Sequence, residues 1–108
     1  MLEIPVSFTG GNKYIVIYYL LFSPKIELVV RQRKAGRTED RTVVKYANQP
    51  RIDAWNEHFF SLDSDVEAIQ LVARKTGITT SVEFVLVDAV EIISTPGTGK
   101  TYCHALLS

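Results

Sequence analysis

Short segments of strand-forming residues recur along the whole chain, and turn residues separate each segment from the next. Clear breaks occur at Gly10-Gly11-Asn12, at Ser23-Pro24 and within the run 94–100. Strands repeated at intervals of about 8–12 residues with turn signals between them are typical of a β-sandwich. We therefore predict an all-β fold, an eight-stranded antiparallel β-sandwich. The predicted strands are Glu3–Phe8, Tyr14–Phe22, Ile26–Arg33, Thr42–Tyr46, Trp55–Leu62, Ile69–Ala73, Ser81–Ile93 and Thr101–Leu107.

The hydrophobic pattern differs among these segments. Tyr14–Phe22 is apolar or aromatic throughout, which predicts a strand buried on both faces. Ile26–Arg33 alternates, so its isoleucine, leucine and second valine share one face. The polar segment Lys34–Asp40 contains a glycine and is predicted to be a loop.

Two further segments allow more than one interpretation. Asp63–Glu67 carries aspartates that could cap a helix, but Ile69–Ala73 alternates, and we predict a short turn followed by a strand. Ser81–Ile93 is too long for one flat strand and is expected to bend near Asp88.

Length and composition indicate one soluble domain, residues 1–108. Nearly half of the residues are apolar and 22% are charged, which argues against disorder. Cys103 is the single cysteine, so an internal disulfide is excluded and a reducing, cytoplasmic location is expected. Met1–Pro5 lacks a basic leader before an apolar run, and the nine apolar residues of Tyr14–Phe22 are too few for a membrane-spanning helix.

A distinctive motif follows the turn at Asn48-Gln49-Pro50. It reads Trp55-Asn56-Glu57-His58-Phe59 and contains the only tryptophan of the chain. Together with the extended segment after Ser23-Pro24, the Arg41-Thr42 strand start and the closing strand from Tyr102, it resembles the C2 domain, nearest to the phospholipase D type. The resemblance covers residues 13–108 and implies an eight-stranded sandwich that binds calcium, phospholipid or protein partners.

The calcium-coordinating aspartates of the C2 pattern are missing from this chain. The loop around Ser23-Pro24 has no carboxylate, and the loop beginning at Arg74-Lys75 offers two cations instead. Calcium requires six to eight oxygen ligands, several of them carboxylates. We therefore expect no metal site and calcium-independent binding.

The charge is uneven along the chain although the total is zero. Residues 25–45 contain seven bases and three acids, so this stretch carries +4 and the remainder carries −4. Arg31 and Arg33 share a face of one predicted strand, and Arg41 and Lys45 share a face of the next. Like charges side by side destabilise a sheet, which indicates an anionic ligand such as a phospholipid headgroup or an acidic protein surface. A solvated surface balanced by Glu39 and Asp40 is the alternative, and the sequence leaves both open.

The same motif and the loops supply the remaining candidates. Arg74 and Lys75 are candidates for touching a membrane at one tip of the sandwich. Trp55 and Phe59 are expected in the core, together with Ile15, Ile17, Val29 or its neighbours, Leu71 and Val85, so that Trp55→Ala should cost about 3–5 kcal/mol.

Nothing in the sequence resembles an assembled active site. Ser94–Thr101 resembles a phosphate-binding loop, but it lacks the first glycine and leaves no room for the helix that cradles phosphate, while its glycines also suit a hairpin. Cys103 and His104 are neighbours on a strand, so their side chains point apart. His58 is a lone histidine, and no metal-ligand spacing occurs.

The favoured function is therefore a non-catalytic, calcium-independent C2-like module that binds anionic phospholipid through its basic face and lies peripheral to a membrane. A protein-interaction or scaffold domain, or a self-associating subunit, is the alternative. A nucleotide-binding fragment built on Gly97–Thr101 is less favoured. We expect no cofactor and no nucleic-acid partner.

Overall fold

The computed structural model describes residues 2–6, 13–52, 54–63, 65–77, 83–94 and 98–107, and for residues 94 and 98–107 it describes the backbone alone. The strands are β1 (Leu2–Pro5), β2 (Lys13–Leu21), β3 (Ile26–Lys34), β4 (Arg37–Lys45), β5 (Asn56–Leu62), β6 (Ala68–Lys75), β7 (Val85–Ser94) and β8 (Thr98–Leu107), with a 3-10 turn at Tyr46–Asn48.

These strands form two sheets around a common core. The first sheet has the order β1-β6-β3-β4 and the second the order β5-β2-β7-β8. Every described strand pair is antiparallel. The prediction of an all-β fold with two antiparallel layers is thus confirmed. Among the described residues, no helix is long and apolar enough to cross a membrane.

The core is built from the inward-facing residues of both layers. β2 contributes alternate residues from Ile15 to Leu21, and β3 contributes alternate residues from Ile26 to Val30. Burying each such side chain stabilises the fold by about 1.5–3 kcal/mol. Four predicted core positions are confirmed between the sheets: Ile15, Ile17, Leu71 and Val85. Val29 is fully buried but lies on the outer side of β3, and its neighbours Leu28 and Val30 face the core.

Two predicted core residues are in fact exposed. Trp55 is 44% exposed and precedes the first residue of β5, and Phe59 is 57% exposed. Asn56 and Leu62 are the buried residues of β5, and Phe60 packs against the core. The prediction was wrong by one position, and because side chains alternate along a strand, a one-residue shift exchanges the two faces.

The segment Lys34–Asp40 is also different from the predicted loop. Lys34 pairs with Arg37 across a turn made of Ala35 and Gly36 alone, and β4 begins at once. Both turn residues have positive φ, 50° and 77°, as in the tight turns that join neighbouring antiparallel strands. Polar side chains are typical of a loop, but charged residues are also common on edge strands such as β4.

The two ambiguous segments are resolved as predicted. Ala68–Lys75 is a strand and not a helix. The register of β7 against β2 shifts at Asp88, which has no partner between the pairs Tyr18↔Ala89 and Tyr19↔Val87. Such a bulge bends and twists a strand, so this irregularity lies at the position where the bend is predicted.

Candidate functional site: an aromatic sheet face

The predicted basic residues of β3 are neutralised by acidic neighbours. The Arg31 Nε lies 2.9 Å from the Asp40 carboxylate on the adjacent strand. The Arg33 Nη1 lies 2.9 Å from Glu3, and its Nε lies 3.8 Å from Glu67. Their positive charge is therefore compensated within the sheet, as in the alternative that the sequence left open.

The tip candidates behave differently from each other. Two nitrogens of Arg74 lie 2.7 Å from the same oxygen of Glu27, a carboxylate only 8% exposed, and this hydrogen bond raises the pKa of Arg74. A third contact joins Arg74 to Asp40 at 3.4 Å. Lys75 is exposed at the end of β6 and has no ion pair among the described residues.

A further ion-pair cluster lies around Lys34. Its ammonium lies 2.6 Å from Asp63 and 3.2 Å from Glu39. The hydrogen bond to Asp63 is the main reason that the pKa of Lys34 is raised, and the same lysine lowers the pKa of both carboxyl groups. This cluster therefore compensates the charge of a further base of the first sheet.

Arg41 and Lys45 do not share a face, contrary to the prediction. The register between β3 and β4 shifts beside Arg31, so that Arg41 falls in a bulge. Its Nη2 donates to the Ser61 carbonyl at 3.0 Å and its guanidinium lies 5.4 Å from the centre of the Phe60 ring, both on β5 of the other sheet. Lys45 instead lines an open groove of about 480 Å³. The four bases therefore do not form one patch.

The outer surface of the second sheet has the opposite character. We call it the aromatic face and define it by the outward aromatic and aliphatic residues of strands β2, β5 and β7: Tyr14, Val16, Tyr18, Leu20, Phe59, Leu86, Ala89 and Ile93. Phe59 stacks on Tyr14, with ring centres 5.5 Å apart and planes 13° apart. Val16 is 6% exposed at the centre, so the rings around it already exclude water. The sequence builds this surface because β2 is apolar on both sides, whereas a strand with one wet face normally alternates.

Charges on this face are acidic. Glu57 lies beside Tyr18, Glu91 lies beside Val16, and Asp88 is exposed at the bulge of β7. Among the described side chains of β5, β2 and β7, no base accompanies them on the outer side.

A shallow cleft of about 260 Å³ continues the aromatic face towards the β4–β5 loop. Trp55 and Tyr18 supply its two rings, and Arg51 and Glu57 supply its charges. Pro50 and Asn56 complete the lining.

A buried amide network holds the loop that carries Trp55. Gln49, 6% exposed, accepts a hydrogen bond from the Leu21 N–H at 3.2 Å and donates one to the Leu21 carbonyl at 2.9 Å. Asn56 accepts from the Arg51 N–H and donates to the Arg51 carbonyl, both at 2.8 Å, and also donates to Gln49 at 3.3 Å. Hydrogen bonds of Gln49, Arg51, Ala54 and Asn56 thus anchor described residues before and after Trp55.

The structure assembles no catalytic group from the candidates that it describes. His58 is half-buried with its ring 5.1 Å from that of Phe60, and burial lowers its pKa. No cluster of three metal-ligating side chains occurs in the part of the chain that is described. Residues 95–97 and the side chains of Cys103 and His104 lie outside that part, while Gly99–Thr101 belong to β8, whose first residue pairs with Ser94.

The aromatic face was not among the predicted sites, although the two-sided apolarity of Tyr14–Phe22 is its signal in the sequence. That pattern predicted burial on both faces, and the described chain buries only one of them completely. Comparisons with protein-family models, with curated proteins and with solved structures found no match.

Proposed function

We propose that this protein is a non-catalytic protein-interaction module that docks its partner on the aromatic face. The observation that carries the proposal is the contrast between the two outer surfaces of the sandwich. The outer side of the first sheet is largely charged, with Arg31, Arg33 and Arg74 held in ion pairs, and the second sheet presents stacked rings and aliphatic side chains to solvent.

The size of the aromatic face fits this function. Nine residues of β2 extend about 30 Å, and three strands about 4.8 Å apart extend about 14 Å, so the sheet surface that holds the face, with Glu57, Ser61 and Glu91 included, spans roughly 400 Å². Apolar patches of a few hundred Å² on a monomer are often functional. Tyrosine, tryptophan and phenylalanine are enriched where protein partners bind, because they bury large areas with few rotatable bonds.

The loop network supports the same function. Because Gln49 and Asn56 fix the backbone on either side of Trp55, docking would lose little conformational freedom in this loop. An exposed, preorganised tryptophan beside a tyrosine and an arginine has the composition of a binding hot spot.

Calcium-independent binding of anionic phospholipid is a second candidate, together with the C2-like relationship that suggested it. Lys25, Lys45 and Lys75 favour it, since all three are exposed near the same end of the first sheet and lack an ion pair among the described residues. Each base is worth about 1 kcal/mol at an acidic membrane surface, so three would give weak attachment. A peripheral membrane location rests on this candidate alone.

Site-specific photo-crosslinking tests the proposal and reports the class of ligand. A photoreactive phenylalanine analogue replaces Tyr18 in one version of the protein and Val43, on the outer side of the first sheet, in the other. Both versions are irradiated in the cells that make the protein, and the adducts are identified by mass. We expect a polypeptide adduct at position 18 that Phe59→Ser abolishes, with no such adduct at position 43.

The controls separate docking from folding. Phe59→Ser must melt close to the parent, since Phe59 is exposed, and Val43→Ser should leave the adduct at position 18 unchanged. Lipid adducts at either position would favour the second candidate. An absence of polypeptide adducts at position 18 would overturn the proposal.

A further inference from the structure

We infer that the partner of the aromatic face presents apolar side chains flanked by lysine or arginine, as a basic amphipathic segment does. This inference rests on the proposed function and adds the chemistry of the partner. It follows from the charges among and beside the rings and not from the rings themselves.

The described strands of this face carry acids without a balancing base. Glu57 is exposed next to Tyr18, Asp88 is exposed at the bulge, and Glu91 is half-buried next to Val16. None of the three makes an ion pair among the described residues, whereas Glu3, Glu27, Glu39, Asp40, Asp63 and Glu67 on or beside the first sheet all do. Six acids on or beside the first sheet are thus compensated within the chain, whereas the three on the aromatic face are available to a partner.

Burial beneath a partner would make these acids costly unless the partner supplied positive charge. A carboxylate removed from water without a counter-charge is strongly unfavourable, and a charge-assisted hydrogen bond from lysine or arginine offsets that cost. The rings add a second attraction for the same groups, because cations are attracted to ring faces. This sandwich already contains such a contact between Arg41 and Phe60, at 5.4 Å.

The same charges argue against two other occupants. A second copy of the chain would bring further uncompensated carboxylates to the interface, and like charges across an interface disfavour association. An anionic membrane would be repelled by the three acids. Among the described residues, Arg51 borders this surface at the loop end, at the margin of the Trp55 cleft, and Arg41 reaches its edge strand β5, where it is bound to the Ser61 carbonyl.

A pair of synthetic peptides tests the inference. Both share one helical pattern of leucines and lack tryptophan, and their polar positions are all lysine in one and all glutamate in the other. Binding to the purified protein is followed by the fluorescence of Trp55, the only tryptophan of the chain. We expect the lysine peptide to bind about tenfold more tightly or better, with an affinity that falls as salt is added.

Two variants locate the effect. Glu57→Lys should shift the preference towards the glutamate peptide, and Asp65→Asn, at another exposed acid without a described ion pair, should leave the preference unchanged. Phe59→Ser should weaken both peptides.

Each of the other possible outcomes would overturn the inference about the partner. Equal binding of the two peptides that Phe59→Ser weakens would overturn the inference and leave the proposed function standing. Binding of neither peptide would overturn the inference, and crosslinking at position 18 would then decide the proposed function independently. Concentration-dependent dimerisation in sedimentation velocity that Phe59→Ser abolishes would also overturn it, because the occupant would be a second copy.

Discussion

Replacing Gln49 by leucine should destabilise the protein strongly although the change adds no charge and roughly preserves size. The amide of Gln49 satisfies both backbone groups of Leu21, the N–H at 3.2 Å and the carbonyl at 2.9 Å, and all of these groups are buried. Leucine would leave the two backbone groups without partners. Each unsatisfied buried group costs about 1–3 kcal/mol, which gives an expected loss of roughly 3 kcal/mol.

The loss is large relative to the stability of a domain of this size. A stability of about 5–15 kcal/mol is typical, and each kcal/mol shifts the melting temperature of a domain near 100 residues by roughly 4–8 °C. We therefore expect Tm to fall by about 12–24 °C in calorimetry, with a parallel fall in the urea midpoint.

A matched control is available in Gln70, whose amide makes an exposed bond to Glu3 at 3.1 Å. Gln70→Leu should change stability by less than about 0.5 kcal/mol, as is usual for surface positions. If Gln49→Leu melted as the Gln70 variant does, the amide network would not fix the Trp55 loop, and the argument for a preorganised docking loop would fail.

Three further outcomes follow from the described contacts. Trp55→Ala should cost about 2 kcal/mol or less, because the side chain is 44% exposed and its removal opens no core cavity; a loss of 3–5 kcal/mol in urea unfolding would restore the core role predicted from the sequence. Ala35→Asn should raise stability by up to about 1 kcal/mol, because asparagine tolerates the φ of 50° better than alanine does; a lower melting temperature would contradict this. Because burial lowers the pKa of His58 in the folded state, the unfolded chain binds the proton first, so stability should be lost as pH falls below about 6.5 and should level off below the folded pKa. His58→Gln should reduce that loss, and an unchanged pH profile would show that this histidine is not its source.

Strand existence could be predicted from the sequence because it depends on local pattern. Turn residues and β-branched runs predicted the strands of both sheets. The length of Ser81–Ile93 predicted a bend close to the bulge that the structure shows at Asp88. The inward face of β3 followed in the same way from alternation. These features depend on residues close together in the chain.

The facing of Trp55 and Phe59 could not be predicted in this way. It depends on where β5 begins, and that is set by Asn56 bonding to Arg51 and Gln49 in the preceding loop. The aromatic pattern alone is compatible with either face of the strand pointing inward, and the predicted face was the wrong one.

The basic patch failed to appear as one surface for a related reason. A bulge at Arg41 displaced it from Lys45, and acids from β1 and β4 and from the segment before β6 reached the arginines of β3. Some of these acids are distant in sequence, so the pairing becomes visible only when the sheet order is known.

The most direct test of the central claim asks whether the aromatic face is covered where the protein works. Hydroxyl-radical footprinting compares the oxidation rates of side chains in the purified protein and in a native extract, with half-buried Tyr46 as an internal reference. The account predicts slower oxidation of Tyr14, Tyr18 and Phe59 in the extract and an unchanged rate at Tyr46. Equal rates at these three residues in both samples, or protection confined to Val43 and Val72 on the first sheet, would contradict it.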